Sequence, residues 1–172
     1  MRRRNFDKIE SLSVSAFIGA IQRESMSSRT PHVLDIGANM GYYSLVAAHM
    51  GARVVAVEMQ PKCWKLTRCH LHLNGLLNSN VTVLNRYVAR PGSHAAAIQV
   101  PRTRCDTMAS PTAVRGRWPS GKLRHGDEPI NASDFQPVEA LDAGELLIRA
   151  LPPGASLTVT KVRSYVVIRP HP

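Results

Sequence analysis

Val33-Leu34-Asp35-Ile36-Gly37-Ala38-Asn39-Met40-Gly41-Tyr42-Tyr43-Ser44-Leu45 is the stretch that decides the fold. His32 to Ile36 is a short apolar run interrupted near its end by an acid, and a turn bounded by two glycines follows at once. A brief apolar run bounded by turn signals reads as a buried strand of a parallel sheet. Gly37 and Gly41 let the backbone turn sharply and come close to a ligand. Asn39, between them, tolerates the left-handed conformation better than most residues. Tyr42 to Met50 then reads as a helix with Leu45, Val46 and Ala48 inward, and Gly51 can supply its left-handed C-cap. The N-terminus of that helix points at the turn.

The pattern repeats downstream. Arg53 to Val57 predicts a second buried strand, ending at Glu58. Pro61 opens a helix at a position where proline is tolerated. That helix runs to Asn74-Gly75, with Leu66, Leu73 and either Cys69 or His70 on one side, and Val81 to Leu84 predicts a third strand. Strand, helix, strand, helix, strand is the signature of an α/β fold with a parallel sheet and crossover helices. Right-handed crossovers place the three strands side by side. Upstream, residues 6 to 22 predict a helix, with Phe6, Ile9, Leu12, Phe17 and Ile21 on a rough stripe. Ser27, Ser28 and Pro31 break the chain after it. Beyond Tyr87 the pattern weakens. Ala96 to Val100 and Ser156 to Val162 read as strands, Val138 to Ala150 as helical near its middle, and Tyr165 to Ile168 as a β-prone run before Pro170 and Pro172.

The chain has 172 residues and a net charge of +10. That length suits one domain, and the charge favours acidic partners. The charge is uneven. Arg102, Arg104, Arg115, Arg117, Lys122 and Arg124 stand against Asp106 alone in a stretch rich in Pro, Gly and Ser. Without apolar period or interleaved aromatics, residues 101 to 136 read as a mobile, solvated loop rather than a nucleic-acid surface. No apolar run approaches the roughly 20 residues of a membrane span. The basic start, Met1 to Lys8, lacks the apolar stretch of a secretory signal, which leaves a cytoplasmic protein as the expectation and an organelle transit peptide as the alternative. Cys63, Cys69 and Cys105 are too few and odd in number for a disulfide framework and suit a reducing compartment. Cys63, Cys69, His70 and His72 lie close together, but zinc ligands usually pair at shorter recurring spacings, so core cysteines with exposed histidines and no metal are expected. Trp64 and Trp118 read as packing or exposed residues rather than base-stacking ones.

Two nucleotide cofactors could use the glycine turn. A dinucleotide site has the pattern G-x-G-x-x-G around a pyrophosphate; this turn reads G-x-N-x-G. Asp35, two residues before the first glycine, would repel a pyrophosphate. S-adenosylmethionine carries no phosphate, and its ammonium and sulfonium suit a carboxylate. Glu58, about 20 residues after the first glycine, can accept hydrogen bonds from both ribose hydroxyls. The candidate cofactor-binding residues are therefore Asp35, Gly37, Ala38, Asn39, Gly41 and Glu58, with Tyr42 or Tyr43 lining the pocket and the other in the core.

The same residues resemble a known family. Val33 to Leu45 looks like the opening motif of FkbM-type methyltransferases, which belong to the Rossmann-like class I. Val54-Val55-Ala56-Val57-Glu58-Met59-Gln60-Pro61 is similar to that family's second-strand motif. Leu73-Asn74-Gly75-Leu76 and Asn80-Val81-Thr82-Val83 continue the likeness. It is specific over residues 32 to about 89 and returns faintly at Val138 to Asp142 and at Leu157 to Val162. The resemblance implies S-adenosylmethionine as cofactor and the hydroxyl of a small molecule or sugar as acceptor. An RNA methyltransferase, suggested by charge, and a degenerate cofactor-binding domain without activity are the competing readings. The family's fourth-strand motif reads Leu-Leu-Lys-Ile-Asp-Val-Glu-Gly. Lys161 matches its lysine, but Arg163 stands at its aspartate. The expectation is a truncated chain of low activity, with an N-terminal helix and linker over 1–30, a methyltransferase-like domain over 31–162, and a tail unlike the family over 163–172. Its C-terminal strands would be incomplete and the fourth strand would be an exposed edge.

Overall fold

The computed structural model describes residues 2–77, 80–89, 97–105, 135–162 and 165–168, and of residues 2–12 and 165–168 the backbone alone. In chain order the elements are α1 (Arg2–Met26), β1 (His32–Ile36), α2 (Tyr42–His49), β2 (Arg53–Val57), α3 (Pro61–Leu73), β3 (Val81–Leu84), β4 (Tyr87–Ala89), β5 (Ala97–Pro101), β6 (Phe135–Asp142), α4 (Ala143–Ala150), β7 (Val159–Val162) and β8 (Tyr165–Ile168). A five-stranded sheet has the order β3-β2-β1-β7-β8. Its first four strands are parallel. The α/β, Rossmann-like reading of the sequence is therefore the observed fold.

The central strands are apolar on both faces because both faces are covered. Val33 of β1 and Val54 and Ala56 of β2 pack with Phe17 and Ile21 of α1, Ala47 of α2 and Leu71 of α3. Leu34, Val55 and Val57, one residue out of phase, pack with Leu146 and Ala150 of α4. The period of two thus sorts each strand's side chains between two helical layers. Trp64 packs on the first cluster and donates its indole N–H to the carbonyl of Val83 at 3.1 Å.

Four expectations are corrected or given sharper bounds. β7 is not an open edge: β8 pairs with it antiparallel, Val159 opposite Ile168 and Val162 opposite Tyr165, as the β-prone composition of Tyr165 to Ile168 allows. Val138 to Ala150 is helical from its middle onward, as α4, while Val138 to Asp142 before it is strand. β6 is held between β4 and β5 in a second, three-stranded sheet, and only at Asp142 does its carboxylate accept from the N–H groups of Gly144 and Glu145 and start α4. The basic loop is bounded more tightly than 101–136, since Pro101 ends β5 and Phe135 begins β6; residues 106–134, including Arg115, Arg117 and Trp118, lie outside the described residues. Finally, Cys63 and Cys105 form a disulfide across 42 residues of sequence, and Cys69 is exposed rather than core. Spacing along the chain could not reveal the disulfide, because the strand pairing of β5 is what returns Cys105 to the start of α3. Among the described residues, no helix is long and apolar enough to cross a membrane.

Candidate functional site

The carboxyl ends of β1 and β2 lie side by side, Ile36 opposite Val57. The turn after β1 and the acid after β2 therefore meet. Gly37, Asn39 and Gly41 all have positive φ, at 74°, 55° and 83°, as the sequence requires of them. The N–H groups of Gly37 and Ala38 donate to the carbonyl of Val57 at 2.8 and 3.1 Å, and that of Gly41 to Ala38 at 2.8 Å. The N–H of Asn39 donates to Glu58 Oε2 at 2.8 Å. The N–H groups of Gly37, Ala38, Asn39 and Gly41 thus go to protein acceptors.

Glu58 is buried, and its other oxygen accepts from the N–H of Gln60 at 2.8 Å. Burial pushes its carboxyl above the ordinary range, against the opposing pull of those two backbone bonds and of Lys161. Each carboxylate oxygen has a second lone pair, so Glu58 can still accept from a ligand.

Asp35 is fully buried. Ser44, in the first turn of α2, donates its hydroxyl to Oδ2 at 2.7 Å. Lys161 of β7, also buried, brings Nζ to 2.9 Å from Oδ1. That approach lacks hydrogen-bond geometry, since Oδ1 has no hydrogen-bond partner among the described residues. It is an ion pair by charge and distance. The directed bond of the ammonium goes to the carbonyl of Gly37 at 2.7 Å. Sequence reasoning gave Asp35 a direct part in holding a cationic cofactor. In the structure its two oxygens already face Ser44 and Lys161.

Thr67 of α3 closes the floor of the turn. Its hydroxyl donates to the carbonyl of Asn39 at 2.6 Å. A Cβ on Gly41 would stand 2.6 Å from Thr67 Cγ2. Thr67 is buried and its rotamer is fixed by that hydrogen bond. Gly41→Ala combines a left-handed alanine with this clash and should cost about 2 kcal/mol or more in urea denaturation. In a Thr67→Ala background the same substitution should cost less, because the clashing methyl is gone. Equal costs in both backgrounds would refute the steric part of the argument. At the mouth of the turn, Tyr42 and Met40 are exposed, while Tyr43 packs edge-on against Phe17.

Ser44, Thr67 and Lys161 were not among the sequence candidates. Ser44 and Thr67 look like ordinary helix residues in the sequence. Lys161 carried a signal, a lone lysine inside a β-branched strand, but only the β1–β7 register sets it opposite Asp35.

No family profile and no curated protein matches this chain. Solved structures with some likeness include three methyltransferases. One is a SAM-dependent methyltransferase from Agrobacterium tumefaciens, 23% identical over 42% of this chain and 23% of that one, with a TM-score of 0.38. The bifunctional kinase-methyltransferase WbdD is 20% identical over 44% and 16% of the two chains, TM-score 0.37. Arabidopsis thaliana protein arginine methyltransferase 10 is 29% identical over 41% and 20%, TM-score 0.35. The matched part spans less than a quarter of each of those proteins.

Proposed function

We propose that this chain binds S-adenosylmethionine at the β1–β2 ends and serves methyl transfer to an oxygen nucleophile, the hydroxyl of a small molecule or sugar, as its resemblance to FkbM-type methyltransferases implies. The observation that carries the cofactor assignment is the pairing of Glu58 with the glycine turn, joined by the bond from the Asn39 N–H to Glu58 Oε2. An acid at the end of the second strand suits a ribose diol. Asp35 behind the turn and Glu58 beside it disfavour a pyrophosphate and suit a nucleoside without phosphates. Glu58 would accept from the ribose hydroxyls, and the backbone of Gly37, Ala38, Asn39 and Gly41 would lie against the nucleoside. Asp35 would act through Lys161 and Ser44, holding β7 and α2 in place around the turn. The cofactor, when bound, supplies a methyl group on a cationic sulfur. The protein's contribution is to fix that group in line with the acceptor oxygen.

Calorimetry with S-adenosylhomocysteine tests the assignment. Glu58→Gln replaces a charged acceptor and should weaken binding about tenfold or more. The pH dependence follows from the raised carboxyl of Glu58. Ribose hydroxyls donate to the ionised form, so affinity is complete above the folded-state pKa and falls as pH drops through it. Because burial has raised that pKa, the fall begins at a higher pH than an ordinary carboxylate would give. Its effect on folding has the opposite sign: stability from this group is present at low pH and is lost as pH rises through the raised value. The Glu58→Gln protein should lose the acid dependence of affinity. Unchanged affinity in Glu58→Gln would remove the basis of the assignment.

A further inference from the structure

Asn39 ties the glycine turn to Glu58, Thr67 and the Cys63–Cys105 pair. Its N–H is on Glu58, its carbonyl on Thr67, and its side-chain Oδ1 lies 3.6 Å from Cys63 Sγ and 3.5 Å from Cys105 Sγ. As a disulfide, neither sulfur has a proton to donate, so these are contacts without hydrogen bonds. As thiols, each has a weak S–H donor facing an amide oxygen. The bond also ties the chain after β5, Arg102 to Cys105, to the first turn of α3, beside the turn. Oxidation state therefore changes both the partner of Asn39 and the tethering of this wall. Cys63 is fully buried and Cys105 half-buried, which makes Cys105 the sulfur that outside reagents reach first.

We propose that Cys63 and Cys105 form a reversible thiol–disulfide site that sets the affinity of the Gly37–Gly41 turn for its nucleoside through Asn39. This deepens, and rests on, the cofactor assignment above. The oxidant is a low-molecular-weight disulfide, RSSR. The Cys105 thiolate attacks one of its sulfurs, forming a mixed disulfide and releasing RS⁻. The Cys63 thiolate then attacks Cys105 Sγ, closing the Cys63–Cys105 bond and releasing the second RS⁻. Two electrons pass from the protein to RSSR, and the two thiol protons go to the departing thiolates, giving two RSH. Reduction reverses both steps. The oxidised form is the tighter binder, because the cross-link orders the wall before the ligand arrives.

The test uses the whole chain after glutathione disulfide and after a reducing agent, with peptide mapping to establish the linkage. Without any ligand, the side-chain amide signals of Asn39 should shift between the two states in a nitrogen–proton correlation spectrum. With S-adenosylhomocysteine, reduction should weaken binding roughly fivefold to tenfold. The double variant Cys63→Ser, Cys105→Ser should behave as the reduced form in both treatments, and Cys69→Ser should respond like the parent. Failure to find a Cys63–Cys105 linkage, Asn39 signals identical in both states, or affinities within about twofold of each other would each overturn the proposal. If neither state binds the nucleoside, the cofactor assignment fails, and the Asn39 signals alone decide whether the cysteine pair reaches the turn.

Discussion

Lys161→Met should remove about 3–5 kcal/mol of folding stability, a large share of the roughly 5–15 kcal/mol that a domain has in total. The size follows from burial on both sides of the pair. Lys161 is 4% exposed and Asp35 is 0% exposed. Methionine fills nearly the same space, so little packing is lost. What is lost is the cation opposite a carboxylate that has no water to turn to, together with the donor to the carbonyl of Gly37. An uncompensated buried charge is the costly species, not the absence of the bond itself. The urea midpoint of Lys161→Met should fall accordingly, with the slope of the transition unchanged.

The mirror substitution, Asp35→Asn, strands the ammonium instead and should cost a similar amount, although its carboxamide can still accept from Ser44. The double variant carries neither charge. Its loss should be smaller than the sum of the single losses by about 1–3 kcal/mol. Strictly additive losses would show that the two charges do not sense each other in the folded protein. The arrangement also bears on the site. Lys161 spans from β7 to the turn after β1, and its ring contact with Tyr43, 5.3 Å from ammonium to centroid, adds α2 to the same cluster. The glycine turn is therefore held from the neighbouring strand as well as from its own.

The glycine turn and most of the strands are legible in the sequence, for definable reasons, while the contacts that hold the turn are not. β1, β2 and β3 were placed to the residue because a buried parallel strand is a short apolar run with sharp ends: His32 to Ile36, Arg53 to Val57 and Val81 to Leu84 all have turn signals on both sides. Gly37, Asn39, Gly41 and Glu58 stood out because a left-handed turn and a strand-end acid restrict the residue type. β4 and β6 did not stand out. Tyr87 to Ala89 is three residues long, and Phe135 to Asp142 contains a proline and two acids. Such strands are made by their partners rather than by their own composition. β6 runs straight into α4, so Val138 to Ala150 reads as one stretch with a helical middle, although Val138 and Leu141 belong to two different apolar clusters. Ser44, Thr67, Lys161 and the Cys63–Cys105 pair depend on contacts across 9 to 124 residues of sequence. A single sequence marks Lys161 as a lone lysine in a β-branched strand, but it gives the partner of none of them.

Phe17→Ala should cost about 3–5 kcal/mol, and the measurement decides whether α1 is part of the fold or an appendage to it. The composition of residues 1–30 suggests a separable helix and linker. The packing says otherwise. Phe17 is 0% exposed and belongs to the same cluster as Val33, Val54 and Leu71. Its ring meets Tyr43 edge-on at 5.0 Å between centroids, a contact that adds about 0.5–1.5 kcal/mol beyond burial. Tyr43 in turn lies beneath Lys161. Truncating Phe17 therefore opens a cavity under the residue that positions the ammonium of the ion pair. Met26→Ala, on the same helix but 85% exposed, is the control and should change stability by no more than about 0.5 kcal/mol. Equal urea midpoints for Phe17→Ala and Met26→Ala would mean that α1 does not dock. A selective loss in Phe17→Ala would place α1 inside the cooperative unit that holds the glycine turn.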